Sequence, residues 1–578
     1  EAFRNAIDEY DYRAKYRSIY PVKVNPHRQV ISAVLKYGRD YGIGLEAGTK
    51  AELLAVLLMA EPATPILCNG FKDPMMIELA IRGAQLGRDI TVIIEKPNEI
   101  DLVAECVQRL GTCPKLGVRV KLAAQANGRW AQSGGYRSKF GLTVNELVEG
   151  IERMRQFRML DSLHLLHFHP GSQISDVRKI KSSLIEATRI YADLVQQGIR
   201  FTAIDVGGGL AVDYTGNQNT EASSMNYTLK EYANDVVYYI QMVCDQAGIP
   251  HPNIMSESGR ALVAHHAILL VPAIGVNQRP AVHTLLPHEW EKCKSIPPLM
   301  ELAGVLDELN ENNLMESFHD AQQAAEIIQQ LFANGMLTLA GRALAEKLFW
   351  TVCERICDLL DELEFVPKEL AELRERLPDT YFLNFSLFQS IPDQWAIDQQ
   401  FPIMPIHHLE TKPTRLGVMG DITCDSDGAI NCFIGEGGQR RALPLHEYNE
   451  AQPYWLAFFL VGAYQEMLGD CHNLLGEVHV VTVDNERGRP VLTEVQLGAT
   501  VGDVLRTADH MPDIIRESIA QHIESAYERR LIQPELRAEI EEFMERMVND
   551  YCYLSRRTSG SEFGASARSF SQMVGARS

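Results

Sequence analysis

The first half of the chain repeats one pattern, a short β-branched run followed by an amphipathic stretch. Ser18–Val24, Pro65–Leu67, Thr91–Glu95, Leu116–Val120, Leu163–His169 and Ala203–Val206 read as buried strands. Helical periodicity separates them, as at Arg28–Tyr37, Ala51–Met59 and Lys179–Gln197. Strands joined through helices pair in parallel, and a parallel sheet needs both faces covered. With nearly eight units over ~250 residues, closure into a barrel removes both sheet edges. The expected fold is therefore α/β, a (β/α)8 TIM-like barrel over residues 1–262. Its active site belongs at the C-terminal ends of the strands.

The texture changes after Val276. Pro298–Leu377 is rich in Ala, Leu, Glu and Gln with helical period, so 291–377 reads as a helical insertion. Short strands with Gly and Pro turns, such as Asp427-Gly428, then return. They predict an antiparallel β-sandwich or barrel domain built from 263–290 and 378–510, on both sides of the insertion. Residues 511–556 read as a helical C-terminal region, and the Ser-, Gly- and Arg-rich tail 557–578 as disordered.

Composition narrows the function classes. There are 76 acidic against 55 basic residues, a net charge of −21, so there is no basic excess to bind a nucleic-acid backbone or an anionic membrane. No apolar run approaches the ~18 residues of a membrane span. The eleven cysteines show neither zinc spacing nor a disulfide framework, which points to a reducing compartment, the cytoplasm. The chain starts at Glu1 rather than Met, which leaves a periplasmic address open.

Four segments carry chemistry. Tyr20-Pro-Val-Lys-Val-Asn25 sets Lys23 at the end of an apolar strand, where burial lowers an amine's pKa and suits Schiff-base formation. Asp205-Val-Gly-Gly-Gly-Leu210 offers backbone N–H groups to a phosphate. Ser256-Glu-Ser-Gly-Arg260 sets a carboxylate and a guanidinium around a glycine, and His167-Phe-His-Pro-Gly-Ser172 offers imidazole and hydroxyl after a strand. Each has an ordinary reading by itself: a solvated lysine, a tight corner, a structural ion pair, core histidines. Together they supply what pyridoxal phosphate requires, namely an amine, phosphate donors, a flat group over the ring and a charge partner for the ring nitrogen.

These motifs, with Gly420-Asp-Ile-Thr-Cys-Asp425, stand in an order that resembles the fold-type III pyridoxal-phosphate decarboxylases, which act on ornithine, diaminopimelate and arginine. The arginine branch is matched best, through Gly44-Leu-Glu-Ala-Gly-Thr-Lys-Ala-Glu52, Asn384-Phe-Ser-Leu-Phe-Gln-Ser390 and the helical insertion. The resemblance runs from Tyr20 to Tyr553 and implies a longer N-terminal region than this chain has. It implies that Lys23 holds the cofactor aldehyde, His169 stacks on the ring and Glu257 pairs with the ring nitrogen. Ser172, Gly207, Gly208, Gly209, Arg260 and Tyr464 would hold the phosphate, and Glu46, Glu52 and Arg119 would line the pocket. Cys424 and Asp425 would reach across a homodimer interface into the partner's site, Cys424 as proton donor and Asp425 at the distal end of the substrate. A carboxylate beside the thiol favours its protonated form.

The resemblance also implies shared active sites in a homodimer, with a tetramer as the larger alternative, and a magnesium requirement. No cluster in the sequence has a recognisable magnesium spacing, so its ligands stay unassigned. A cationic amino-acid side chain calls for a carboxylate, and Asp425 and Asp393 are the candidates. Ornithine enzymes carry Asn-Asp-Gly where this chain has Asn384-Phe385-Ser386, and the loss of that acid fits a longer guanidinium. The expected activity is thus decarboxylation of L-arginine to agmatine, the agmatine route to putrescine and spermidine. The alternatives are another basic amino acid (ornithine, lysine or diaminopimelate) and a catalytically inactive look-alike.

Overall fold

The structure, a computed structural model, describes residues 1–123, 138–278, 284–360, 363, 365–435 and 438–555. The tail 557–578 lies outside the described residues.

Eight parallel strands close the barrel: β1 (Tyr16–Pro21), β2 (Gly44–Ala47), β3 (Ile66–Cys68), β4 (Ile90–Ile94), β5 (Lys115–Arg119), β6 (Leu163–His167), β7 (Ala203–Asp205) and β8 (Asn253–Ser256). Closure is made by β1 against β8, with Tyr16 opposite Ile254 and Ser18 opposite Ser256. β4, Ile-Thr-Val-Ile-Ile, is buried at every position, as a strand covered on both faces must be. β2 has no apolar run because it is only Gly-Leu-Glu-Ala and its glutamate serves the site described below. Capping boxes at Thr143 and Thr228 start the helices Val144–Gln156 and Leu229–Ala247 by satisfying free N–H groups.

Past the barrel, β9 (Leu269–Asn277) runs through the middle of a second, open sheet. One side of β9 pairs with Trp455–Phe458 and the other with Asp379–Leu383, so strands from both sides of the insertion meet on it. The sheet is antiparallel except where Asp379–Phe382 runs parallel to Gly417–Gly420. Arg415 bridges that pair by a two-pronged ion pair to buried Asp379, at 2.7 and 2.9 Å. Barrel and sheet share one apolar core, in which Tyr381, Phe385 and Phe458 join the barrel residues.

The insertion folds as helices Pro287–Lys294, Pro297–Glu308, Leu314–Ala333, Leu339–Leu360 and Lys368–Arg376. They bury a core of their own around Leu302, Leu348, Val352 and Ile356. Two further helices, Pro512–Glu528 and Pro534–Val548, follow the second sheet. Among the described residues no helix is long and apolar enough to cross a membrane.

Candidate active site

All eight strand ends converge on one polar cluster. β1 ends at Pro21, which has no N–H to extend the ladder, and the chain turns through Val22–Val24 to present Lys23. The register sets Pro21 opposite Glu46 of β2, so Lys23 Nζ donates to both carboxylate oxygens, at 3.0 and 3.1 Å. The Lys23 side chain is half-exposed, and its partial desolvation alone would lower its pKa, the direction the sequence suggests. Glu46 and Glu257 outweigh that desolvation, and the group is raised above its usual value. The amine is therefore a held ammonium until its proton moves or its carboxylate partners are neutralised.

Opposite lies Glu257, just past β8, buried and accepting from Asn69 Nδ2 at 2.9 Å. Burial, then Asp205 and Glu46, push its carboxyl well above the ordinary value of 4.5. His169 is driven the other way. Burial, then Arg119 and Lys23, hold it well below 6.5, so the ring is neutral. Its Nδ1 accepts the Gly208 N–H at 3.1 Å, which puts the ring proton on Nε2.

The triple-glycine turn follows β7. Gly207 has φ +66°, and a Cβ there would run into the Phe168 carbonyl, so only glycine fits. Gly208 and Gly209 continue the turn against Glu257 and Ile174, and Ser172 lies in the facing loop beside Gly171. Arg260 closes this end. It is buried, donates to Tyr214 Oη at 2.9 Å and lies 4.8 Å from the Tyr464 ring centre, yet its Nε has no hydrogen-bond partner among the described residues. Tyr464 comes from the second sheet's side. It sits at φ 71°, ψ −32°, a strained backbone for a tyrosine, and its N–H donates to the Val24 carbonyl at 2.8 Å.

The donor set fits pyridoxal phosphate. The buried guanidinium with an unused N–H suits a phosphate, the neutral imidazole suits a ring face, and the carboxyl with a raised pKa suits a basic ring nitrogen. Arg119, which acts on His169 within the cluster, and Glu52 each make a further described contact. Arg119 is 2.5 Å from buried Glu95, which it and Lys72 hold below its ordinary pKa against burial. Glu52 accepts the Gly48 N–H at 2.7 Å and so fixes the turn before its helix. The one three-residue group of metal-capable side chains in this cluster does not suit magnesium. Among the described residues the one group of three metal-capable side chains is His167, Asp205 and Glu257, all buried. An imidazole in a dry cluster does not suit an ion that demands oxygen ligands and retains its waters.

A second cluster lies on the sheet side. The loop after Arg415–Gly420 carries Asp421, whose carboxylate accepts from Leu387 N at 2.8 Å and from Thr423 N and Oγ at 2.8 and 2.7 Å. Trp395 Nε1 donates to Asp427 at 3.3 Å, and the Phe388 ring packs on Trp395 and His472, each at 5.2 Å. The edge so built exposes Cys424 and Asp425. Cys424 bonds to Asn473, and Asp425 lies 3.8 Å from His472. Asp393 does not join that edge. It is buried, and its carboxylate accepts from Gln465 Nε2 at 2.8 Å, next in sequence to Tyr464.

Sequence reasoning missed Asn69, Glu95, Asn473 and the Tyr214–Arg260 contact. Asn69-Gly70 looks like a plain turn, and the available signal was its position at the end of a barrel strand.

Residues 1–264 match the family model of the pyridoxal-dependent decarboxylase pyridoxal-binding domain, and 294–374 that of the arginine decarboxylase helical bundle domain. The biosynthetic arginine decarboxylase of Rhodopirellula baltica is 44% identical, over 96% of this chain and 87% of that protein. That of Geobacter sp. is 42% identical with the same coverage. The crystal structure of the Campylobacter jejuni biosynthetic arginine decarboxylase is similar at a TM-score of 0.82 and 32% identity, over 96% of this chain and 89% of that one. A diaminopimelate decarboxylase of Helicobacter pylori shares the fold at 15% identity and TM-score 0.55.

Proposed function

Because the chain belongs to the biosynthetic arginine decarboxylase family of pyridoxal-dependent enzymes, we propose that its two clusters are the halves of one active site. The enzyme removes the carboxylate of L-arginine as carbon dioxide and yields agmatine. Agmatine then leads to putrescine and spermidine.

The observation that supports the site assignment most is a half-exposed amine, Lys23, in one cluster with a buried carboxyl, Glu257, and a buried guanidinium whose Nε is unused. Pyridoxal phosphate, when bound, supplies an aldehyde for the amine and a ring that spreads the charge left on the α-carbon. Lys23 must shed a proton to act as a nucleophile, and Glu46 is in hydrogen-bond reach to take it. Glu257 holds a proton at the ring nitrogen, which keeps the ring electron-poor. Arg260, Tyr464, Ser172 and Gly207–Gly209 anchor the phosphate, and neutral His169 packs on the ring without opposing its charge.

Cys424 returns the proton that replaces carbon dioxide on the α-carbon, and Asp425 faces the guanidinium. Both are exposed on the sheet side, and the described bonds of Cys424 go to Asn473 rather than to the barrel cluster. We therefore assign them to the site of the partner in a homodimer. The eleven cysteines are all free, which favours a reducing compartment, the cytoplasm.

The test is carbon dioxide release from a panel of arginine, ornithine, lysine and diaminopimelate with added pyridoxal phosphate. Arginine is expected to lead by ~10⁴-fold or more in kcat/KM, the discrimination of a site built to bond the substrate's polar end. A preference for ornithine or diaminopimelate would reject the substrate assignment.

A further inference from the structure

Asn473 makes both of its hydrogen bonds to one residue. It occupies the turn His472–Leu474 at φ 56°, ψ 23°, a left-handed conformation that asparagine accepts more readily than most side chains. Its Oδ1 accepts the Cys424 backbone N–H at 2.9 Å, and its Nδ2 donates to Cys424 Sγ at 3.3 Å. The orientation of the amide is fixed by chemistry. A backbone N–H can only donate, so the oxygen must face it, and the NH2 group must then face the sulfur. The turn itself is held by the Leu474 N–H to the Cys471 carbonyl at 2.9 Å and by the His472 ring against Phe388 at 5.2 Å.

A sulfur that accepts a hydrogen bond on one side has its own S–H left to give on another. The same donor stabilises the negative sulfur that remains after the proton leaves. The exposed thiol of Cys424 would otherwise rotate freely about its one side-chain torsion.

We propose that Asn473 is a positioning residue for the proton-transfer step, clamping the backbone and sulfur of Cys424 together so that the thiol proton is aimed away from its own chain at the substrate α-carbon. The proposal rests on the reading of Cys424 as proton donor. A proton that missed the α-carbon would let water release the substrate carbon as an aldehyde instead of as agmatine, the amino group staying with the cofactor. The ratio of aldehyde to agmatine therefore reads the aim of the proton, which a loss of folded protein would not change.

Three full-length variants, Asn473→Asp, Asn473→Ala and Cys424→Ala, separate the possibilities. Asn473→Asp keeps the acceptor for the Cys424 N–H and turns a carboxylate toward the sulfur; it is nearly isosteric, so it serves where Asn473→Ala fails to fold. Both Asn473 variants are expected to raise the aldehyde fraction by ~10-fold or more, with KM for arginine within about twofold of wild type. Independently of turnover, Asn473→Asp should slow iodoacetamide alkylation of the Cys424 peptide by ~5-fold or more at fixed pH, with or without cofactor, because a facing carboxylate opposes the thiolate. A wild-type product ratio and alkylation rate in both Asn473 variants, beside a diverted ratio in Cys424→Ala, would overturn the inference. A wild-type ratio in Cys424→Ala would instead remove the reading of Cys424 on which the inference rests.

Discussion

A carboxyl buried beside two other acids costs the fold stability unless a ligand uses it. Glu257 is 5% exposed, and burial with Asp205 and Glu46 raises its pKa well above 4.5. In the unfolded chain the group ionises near its ordinary value, whereas in the folded chain it keeps its proton to higher pH. Above about pH 4.5 the native state thus binds more protons than the unfolded one, and this residue's contribution to stability falls as pH rises. Glutamine has nearly the same shape, carries no charge and still offers a carbonyl oxygen to Asn69. Cofactor-free Glu257→Gln is therefore expected to melt at a higher temperature than wild type, by a margin that widens from pH 5 to pH 7. The same change should slow decarboxylation by ~10²-fold or more, because a neutral amide does not stabilise a protonated ring. Thermal melts of the two apoproteins across that range check the first half. A variant less stable than wild type at pH 7 would mean that Glu257 serves the fold rather than the cofactor.

At the scale of elements, the join between barrel and second sheet decides whether the site is complete. The segment from Phe459 to Gln465 passes so near the barrel that a Cβ on Gly462 would run into the Val263 carbonyl and the His266 ring. Asn25, one turn from Lys23, donates to the Gly462 carbonyl at 3.2 Å and to Glu466 at 2.9 Å. Gly462→Ala must push this segment outward, at about 1–3 kcal/mol for an overpacked contact. Tyr464 would leave Arg260 with it. Binding of pyridoxal phosphate, followed by its quenching of protein fluorescence, should weaken by ~10-fold or more, as 1.4 kcal/mol per decade requires. Unaltered affinity would show that Tyr464 has no part in holding the phosphate.

This join also marks where the sequence stopped being legible. The barrel could be read because parallel strands are apolar on both faces, and Lys23, His169, Gly207–Gly209, Glu257 and Arg260 could be read because each stands just after a strand. Strand ends alone say which residues can meet. The ion pair of Lys23 with Glu46 needs the register of β1 on β2, and the contact of Asn473 with Cys424 spans 49 positions of chain. Neither leaves a local trace. The direction of the Lys23 pKa follows from the same fact, since desolvation can be guessed from apolar neighbours but a carboxylate on the paired neighbouring strand cannot.

At the scale of the whole molecule the question is which chain completes which site. One chain holds both halves, the Lys23 cluster on the barrel face and the exposed Cys424–Asp425 edge on the sheet side. In a two-fold dimer the edge of each chain can meet the barrel face of the other, and both sites then form by the same contact. Mixing two variants that each form little agmatine alone tests this. Lys23→Ala lacks the amine and Cys424→Ala lacks the acid. In a hybrid dimer with shared sites, one site takes Lys23 from one chain and Cys424 from the other and is intact, while the second lacks both. Random exchange makes about half of the dimers hybrids, so agmatine formation should recover to about a quarter of the wild-type rate. Sites built within one chain would give no recovery at all, because every chain in the mixture lacks one of the two groups. Mixing should be done under conditions where subunits exchange, confirmed by mass shift between tagged and untagged chains, and the product should be agmatine with little aldehyde. Activity that stays at the sum of the separate variants, with exchange demonstrated, would place Cys424 in the site of its own chain.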